Sequence, residues 1–240
     1  MSSSFQESVA LITGGGRGIG KACARRFAEL GADVAIVSRT RVELEQAKHE
    51  IESQTGRRVL PWAGDISTEA SVVELFRATR EQLGPVKFLV NNAATFHVAP
   101  VTQLSVEAFD EVMAVNARGT FLCARELLRH PVADGAIVNI SSLGGVRRTE
   151  KFPGLAAYVA SKFAVVGLTE ALAVESIKLG VRTNAIAPGA VNTEMLRQVA
   201  PHLRTSTQPE DIANTVVMLC DADVSRRING SLLEIYSNET

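Results

Sequence analysis

The sequence is poor in cysteine and carries almost no net charge. Its 240 residues include three cysteines, and 25 lysine and arginine residues nearly balance 26 aspartate and glutamate residues, which leaves a net charge of −1. Three widely separated cysteines give neither a disulfide framework nor the ligand spacing of a zinc site, so we expect a reducing compartment and no bound metal. Because the basic excess typical of nucleic-acid-binding proteins is missing, we expect no nucleic-acid partner.

Long apolar runs and linker-like tracts are also missing. The first eight residues contain no lysine or arginine, so they lack the basic start of a signal peptide. No segment approaches the run of roughly 18–20 apolar residues that crosses a bilayer. No repeat and no tract rich in proline, serine and glycine divides the chain. We therefore expect a soluble, cytoplasmic protein with no membrane partner, folded as a single domain over residues 1–240.

Short apolar runs alternate with longer amphipathic segments along the chain. The predicted strands are 9–12, 34–37, 88–90, 136–140, 183–187 and 232–236, with 59–63 as a weaker candidate; the predicted helices are 19–30, 41–54, 69–83, 106–128, 155–179 and 209–220. Apolar strands without clean alternation are typical of a parallel sheet covered on both faces. The alternation predicts an α/β fold with a doubly wound parallel sheet, which binds ligands beyond the carboxyl ends of its strands.

The first predicted strand runs into a glycine-rich turn. TGGGRGIG occupies residues 13–20, and a predicted helix follows. Glycine permits positive φ and close approach of the backbone to a ligand, and a helix N-terminus attracts phosphate. We therefore predict that a dinucleotide's pyrophosphate binds at Gly14, Gly16, Arg17, Gly18, Ile19 and Gly20. A tight turn without a ligand is the alternative.

The end of the second predicted strand carries an arginine where an NAD-binding protein would carry an acid. That strand ends in Ser38 and Arg39. A guanidinium group suits a phosphate better than a neutral ribose diol, and Arg17 is expected near the same group. Arg39 and Arg17 thus favour NADP(H) over NAD(H), unless Arg39 is an ordinary surface residue. Ser38 and Arg39 are both predicted cofactor contacts. Asp33 lies at the start of the strand and cannot replace the missing acid.

Tyr158 and Lys162 are four residues apart, which places them on one face of a predicted helix. A free tyrosine has a pKa near 10, and a nearby cation lowers it. Ser141 and Ser142 follow another predicted strand, where a hydroxyl can bond a substrate oxygen. The pattern predicts a proton-transfer site; the alternative is a packed tyrosine beside a solvated lysine.

Taken together, the ordered segments resemble the classical short-chain dehydrogenase/reductase family. The matching segments are TGGGRGIG (13–20), Asp65-Ile66, NNA (91–93), VNARG (115–119), IVNISS (137–142), YVASK (158–162) and APG (187–189) with Thr193. The resemblance extends from Thr13 to about Gly230. It implies a Rossmann fold and an oxidoreductase similar to the 3-oxoacyl-ACP reductases, with assembly as a homo-oligomer, a tetramer or dimer, through helices near 106–128 and 155–179.

The resemblance also implies a role for each site residue. Tyr158 would protonate a carbonyl oxygen, Lys162 would lower the tyrosine pKa and bind the nicotinamide ribose, Ser142 would orient the carbonyl, and Asn116 would hold a relay water. The cofactor contacts implied are Asp65 and Ile66 at the adenine, Asn92 and Ala93 at the adenosine ribose, and Pro188, Gly189, Val191 and Thr193 at the nicotinamide.

The leading hypothesis is NADPH-dependent reduction of a ketone to a secondary alcohol. The alternatives are an NAD(P)-dependent dehydrogenase that oxidises an alcohol, and an NADP-sensing regulatory protein without activity. The predicted substrate pocket is mostly apolar: Phe96, His97, Val146, Phe152, Leu155, Ala190, Met195 and Leu196. Arg147, Arg148 and Lys151 form a basic group that either meets an anionic or carrier-bound substrate or is solvated. The short segment after Thr193 leaves little chain for a substrate lid.

Overall fold

Seven strands form one parallel sheet in the computed structural model, which describes residues 3–237. Their bounds are β1 Val9–Thr13, β2 Asp33–Ser38, β3 Val59–Ala63, β4 Val86–Asn91, β5 Gly135–Ile140, β6 Val181–Pro188 and β7 Leu232–Ile235. The strand order is β3-β2-β1-β4-β5-β6-β7, and each neighbouring pair is parallel. The predicted α/β fold is confirmed, and so is the weaker strand candidate.

Helices connect the strands and cover both faces of the sheet. They are α1 Gly18–Glu29, α2 Arg41–Thr55, α3 Glu69–Gln82, α4 Val106–Met113, α5 Gly119–Arg129, α6 Ala156–Ser176, α7 Glu194–Val199, α8 Pro209–Cys220 and α9 Ala222–Ser225. The sequence pattern did not predict α7 and α9. These helices have six and four residues, too few for a helical period to show.

The predicted helix over 106–128 is not continuous. A π-helical turn, Ala114–Arg118, separates α4 from α5. Asn116 lies in this turn with 1% of its surface exposed, and its carbonyl accepts a hydrogen bond from Thr120 Oγ1 at 2.8 Å. Single π turns inside helices occur frequently at functional sites, and this turn directs Asn116 inward.

The buried strands divide their side chains between two apolar layers. Ala10 and Ile12 of β1 pack with α1, α2 and α8, whereas Val9 and Leu11 pack with α3, α5 and α6. Since both faces of the strand are covered, both sets of side chains are apolar. This double burial explains why the sequence of the inner strands shows continuous apolar runs without alternation.

Helix α6 corrects one expectation about apolar segments. With the 3₁₀ turn Ile177–Leu179 it forms a 24-residue stretch, Ala156–Leu179, that is long and apolar enough to cross a membrane by length and composition. The stretch contains the buried side chain of Lys162, whose ammonium donates to the carbonyl of Ile140 in the sheet. This contact places α6 against the sheet. We therefore interpret it as a core helix, which can be as long and as apolar as a membrane span.

The chain reverses its direction of winding between β1 and β4. From β1 it moves outward through β2 to β3, and then returns to place β4 on the other side of β1. The helices that follow β1 and β4 diverge at this point, which opens a crevice beyond the carboxyl ends of the strands. Thr13, Ser38, Asn91, Ile140 and Pro188 end their strands along this edge.

Candidate active site

A cleft of about 1160 Å³ lies at the carboxyl edge of the sheet. The predicted site residues that line it are Gly14, Gly16, Arg17, Gly18, Ile19, Ser38, Arg39, Asp65, Ile66, Asn92, Ala93, Ser142, Tyr158, Lys162, Pro188, Gly189, Val191 and Thr193. Gly20 and Asn116 do not line the cleft; each supports a neighbouring segment. The fold therefore brings residues from distant parts of the sequence to one site.

The glycine turn adopts a conformation that requires glycine. Gly14 and Gly18 have φ values of +66° and +54°, in the left-handed region that L side chains rarely adopt. A Cβ atom on Gly20 would lie 2.1 Å from the carbonyl oxygen of Gly14. Glycine at these positions thus allows the turn to fold tightly against the start of α1.

The end of β4 clamps the glycine turn. Asn92 Nδ2 donates to the carbonyl oxygens of Thr13 and Gly14 at 3.0 and 3.2 Å, and the Thr13 hydroxyl accepts the amides of Asn92 and Ala93 at 3.0 Å each. The side-chain amide of Asn92 is therefore used within the protein. Its geometry assigns it the positioning of the glycine turn, in addition to its place in the cleft lining.

The cleft has the features that a dinucleotide needs. A Cβ atom on Gly18 would lie 3.5 Å from Thr193 Cγ2, so the missing side chain keeps open the gap between the turn and the segment after β6. The N-terminus of α1 adjoins this gap, where free backbone N–H groups attract phosphate. Ser38 and Asp65 line one end of the cleft, and Tyr158 and Pro188 line the other. The residues present thus fit an extended dinucleotide.

Each of the two arginines predicted at the cofactor phosphate forms ion pairs with glutamates. Arg17 Nη1 lies 2.7 Å from Glu194 and 3.6 Å from Glu43, and Arg39 Nη1 lies 3.4 Å from Glu111. No sequence pattern indicated these pairs, because two of the partners are 72 and 177 residues away along the chain. Both arginines line the cleft, and the carboxylates of these glutamates partly balance their positive charges.

Asp33 lies where the sequence predicted, at the first residue of β2 and away from the cleft. Its buried carboxylate accepts from Arg58 Nε at 2.8 Å, and Arg57 Nη2 lies 2.8 Å from its other oxygen. This acid therefore links the start of β2 to Arg57 and Arg58, outside the cleft lining.

Tyr158, Ser142 and Lys162 come together at the other end of the cleft. Lys162 Nζ lies 5.5 Å from the centre of the Tyr158 ring and donates to the Ile140 carbonyl at 2.8 Å. Burial raises the pKa of Tyr158 above its ordinary value, although a hydrogen bond with Ser142 opposes the shift. The prediction of a lowered tyrosine pKa is wrong for this structure, because desolvation outweighs its polar contacts. The phenol is consequently protonated at neutral pH.

Lys162 shows the same effect of burial with the opposite sign. Only 3% of the residue is exposed, and desolvation lowers its pKa to about 8. Its ammonium group is therefore charged at pH 7 but loses its proton only slightly above neutrality. Small changes in its surroundings therefore change the protonation state of Lys162. Titratable groups with shifted pKa values are common at catalytic sites.

Asn116 connects the π turn to the active-site helix. Its Nδ2 donates to Ser161 Oγ and to the Thr95 carbonyl, each at 2.9 Å, and its Oδ1 accepts the Thr95 amide at 2.8 Å. Ser161 Oγ in turn donates to the Tyr158 carbonyl at 2.7 Å. The side chain thus holds the loop after β4 against α6 behind Tyr158. Its predicted contact to a relay water stays a prediction.

The substrate end of the cleft is apolar, with two corrections to the predicted set. Phe96, Phe152, Leu155, Ala190, Met195 and Leu196 line it as predicted, and Tyr236 and Ser237 near the end of the chain join them. His97 and Val146 are not part of the lining. His97 Nε2 instead lies 2.8 Å from Glu111, and the side chain of Val146 is buried within the segment between β5 and α6. Sequence reasoning missed Tyr236 and Ser237 because they follow a strand that lacks a recognisable motif.

The basic group between Ser142 and Tyr158 is divided in the structure. Lys151 Nζ donates to the carbonyls of Leu143 and Val146, so its charge organises its own loop. Arg147 is exposed and does not line the cleft, whereas Arg148 does, with φ at +66°. The three cations therefore do not form a single patch in the structure. Of the three, Arg148 lines the cleft, and its contact with an anionic or carrier-bound substrate stays a prediction.

Comparison with known proteins agrees with this geometry. The sequence model of the short chain dehydrogenase family matches residues 8–204. The (2S)-[(R)-hydroxy(phenyl)methyl]succinyl-CoA dehydrogenase subunit BbsD of Thauera aromatica is 36% identical over an alignment of 248 positions that covers 96% of each chain.

Two solved structures are similar over almost the whole chain. A short chain dehydrogenase from Burkholderia cenocepacia J2315 in complex with NADP has a TM-score of 0.89 and 31% identity, with 98% of each chain covered. A 3-ketoacyl-(acyl-carrier-protein) reductase from Brucella melitensis complexed with NADH has a TM-score of 0.87 and 33% identity, again with 98% of each chain covered.

Replacement of Gly20 by alanine tests the packing of the glycine turn. The added methyl group would collide with the Gly14 carbonyl and lie 2.6 Å from Asn92 Nδ2, so the turn has to shift. We expect Gly20→Ala to lower the melting temperature and to weaken dinucleotide binding at least tenfold, about 1.4 kcal/mol. Thermal unfolding and NADPH fluorescence titration measure the two effects; parent-like values in both would contradict the packing described.

Proposed function

The chain belongs to the short-chain dehydrogenase/reductase family, and from this we propose that it reduces a ketone to a secondary alcohol with NADPH. One observation carries the proposal: the protonated phenol of Tyr158 lies with Ser142 and the buried Lys162 in the cleft that the glycine turn opens. A reduction requires a proton donor at the carbonyl oxygen, and Tyr158 can supply one.

The residues of the site have separate tasks in this reaction. The nicotinamide, when bound, supplies the hydride for the carbonyl carbon. Ser142 donates a hydrogen bond to the carbonyl oxygen and orients it toward Tyr158. Tyr158 transfers its proton to that oxygen, and the ammonium of Lys162 stabilises the phenolate that forms. Asn116 keeps Tyr158 in position through Ser161.

NADP(H) is the proposed cofactor because two arginines lie at the adenosine end of the cleft and no acid ends β2. Arg39 takes the place of the diol-binding acid, and Arg17 projects from the glycine turn. The Burkholderia relative binds NADP, in support of this choice, whereas the Brucella relative binds NADH. Similar proteins thus bind either cofactor, and the two arginines are the reason why we propose NADP(H) for this chain.

The reverse reaction is the second candidate function. The Thauera relative is a dehydrogenase, and the same residues would oxidise an alcohol if Tyr158 accepted its proton. We favour reduction because burial disfavours the phenolate of Tyr158, the form that would have to accept the proton in the oxidation. An NADP-sensing protein without activity is disfavoured, since it would not need Tyr158, Ser142 and Lys162 together.

We base the proposed substrate on the apolar part of the cleft, and the proposed assembly on apolar faces of α5 and α6. The aromatic and aliphatic side chains at the substrate end favour an apolar ketone, either free or attached to a carrier. Phe121 of α5 and Phe163 and Val174 of α6 are also exposed, at 40%, 36% and 66%. We propose that these helix faces are covered in a homo-oligomer, with a tetramer as the leading possibility.

The Tyr158→Phe variant tests the proton donor. The substitution preserves the ring and its packing but removes the hydroxyl, so we expect kcat for ketone reduction to fall about 10²–10⁴-fold. NADPH binding, followed by fluorescence titration, should stay close to that of the parent because the glycine turn is intact. A variant that retains more than about a tenth of the parent's kcat would contradict the role of Tyr158 as proton donor.

The pH dependence of reduction tests Lys162. Its ammonium stabilises the phenolate, and with a pKa of about 8 it is charged below this pH and neutral above it. We therefore expect kcat to be constant from pH 6 to 7 and to decline as the pH rises through about 8. In Lys162→Arg, which stays charged, any remaining activity should lack this decline. A parent profile that rises above pH 8 would contradict the assignment.

The Arg39→Asp variant tests the choice of cofactor. It removes a charge-assisted contact, worth about 1.5–3 kcal/mol, and adds repulsion of a 2′-phosphate. We expect kcat/KM with NADPH to fall roughly 10–100-fold and kcat/KM with NADH to rise. Both are measured on one ketone. If the ratio of the two values is unchanged, Arg39 is an ordinary surface residue and the cofactor proposal fails.

A further inference from the structure

An arginine, a glutamate and a histidine meet at the predicted adenosine end of the cleft. Arg39 Nη1 lies 3.4 Å from Glu111 Oε1, and His97 Nε2 lies 2.8 Å from Glu111 Oε2. We call this group the Arg39–Glu111–His97 cluster. It joins the end of β2, helix α4 and the loop after β4, three parts of the chain that no sequence motif connects.

Glu111 contacts the cleft lining through Arg39. Arg39 lines the cleft, whereas Glu111 lies behind it on α4 and does not belong to the lining. The bond from His97 fixes the second carboxylate oxygen, so Glu111 faces Arg39 from a defined position. Contacts with His97 first and Arg39 second also lower the pKa of Glu111, which keeps it ionised at neutral pH.

The charges around the expected 2′-phosphate are therefore not favourable overall. Arg17 is paired with Glu43 and Glu194, and Arg39 is paired with Glu111, so three carboxylates face two guanidinium groups. An incoming phosphate must share or displace these partners. Of the three carboxylates, Glu111 is the one bound to the arginine that stands in the diol-binding position.

We propose that Glu111 is a cofactor-specificity residue, whose carboxylate competes with the 2′-phosphate of NADP(H) for Arg39 and so weakens the preference for NADP(H) over NAD(H). The proposal rests on the proposed function, because it assigns the 2′-phosphate to Arg39. Competition is expected to outweigh any orientation of Arg39 by Glu111. The phosphate carries more than one negative charge, and it would lie on the same guanidinium group as a fixed carboxylate.

The size of the effect is limited by solvent. Arg39 is 65% exposed and Glu111 41% exposed, so salt and water screen their attraction. Exposed ion pairs change a binding constant by at most about fivefold, which corresponds to about 1 kcal/mol. The effect should be largest at low ionic strength.

The test compares two neutralised glutamates on the same helix. Glu111→Gln removes the charge next to Arg39, and Glu107→Gln removes an exposed charge one turn earlier on α4, outside the cluster. Calorimetric titration of the full chain with adenosine 2′,5′-bisphosphate and with 5′-AMP isolates the contribution of the 2′-phosphate. Titrations at low salt and at about 0.5 M NaCl measure the screening.

We expect Glu111→Gln to bind adenosine 2′,5′-bisphosphate about three- to fivefold more tightly than the parent at low salt, with a smaller gain at high salt. Binding of 5′-AMP, and both ligands in Glu107→Gln, should match the parent. In steady-state kinetics the same gain should appear in KM for NADPH and leave kcat unchanged. A merely structural role of Glu111 would not separate the two ligands.

Opposite or absent effects overturn the inference. Weaker bisphosphate binding in Glu111→Gln would show that Glu111 orients Arg39 for the phosphate, and unchanged binding would show that the pair has no influence. The NADP(H) proposal fails separately, if neither the parent nor Glu111→Gln prefers the bisphosphate over 5′-AMP. A parent without preference that gains one in Glu111→Gln would support the competition.

Discussion

Two hydrogen bonds tie helix α6 to the end of strand β5, and the geometry of the active site depends on them. Lys162 Nζ donates to the Ile140 carbonyl at 2.8 Å, and Ser141 Oγ donates to the Lys162 carbonyl at 3.0 Å. The strand end and the helix thus hold each other in register. Because Ser142 follows the strand and Tyr158 lies one turn before Lys162, this connection fixes the three functional side chains together.

Burial gives these groups their chemical properties. The same desolvation that raises the pKa of Tyr158 lowers the pKa of Lys162 to about 8, so each neutral form is favoured. The protonated phenol of Tyr158 is suited to donate a proton. The ammonium of Lys162, whose pKa is close to neutrality, is suited to stabilise the phenolate that forms. The cofactor end is different, since its arginines are exposed and their effects are limited by solvent.

The sequence predicted those parts of the fold and site that depend on local pattern. Gly14 and Gly18 were identified from a turn between a strand and a helix, and the inner strands from apolar runs that reflect burial on both faces. The direction of the Tyr158 pKa shift was missed, because desolvation depends on the packed tertiary structure. The partner of Arg39, Glu111, was missed because contacts between residues 72 positions apart leave no periodic signal.

In the reaction that we propose, the cleft positions a carbonyl so that hydride passes directly to its carbon from the nicotinamide C4. Incubation of the protein with a panel of ketones and NADPH deuterated at the transferable C4 position tests this most directly, with mass spectrometry of the product. We expect one deuterium on the carbinol carbon of a reduced ketone and an unlabelled hydroxyl proton from solvent. A reduced product without deuterium on carbon, obtained both with (4R)- and with (4S)-deuterated NADPH, would contradict direct transfer.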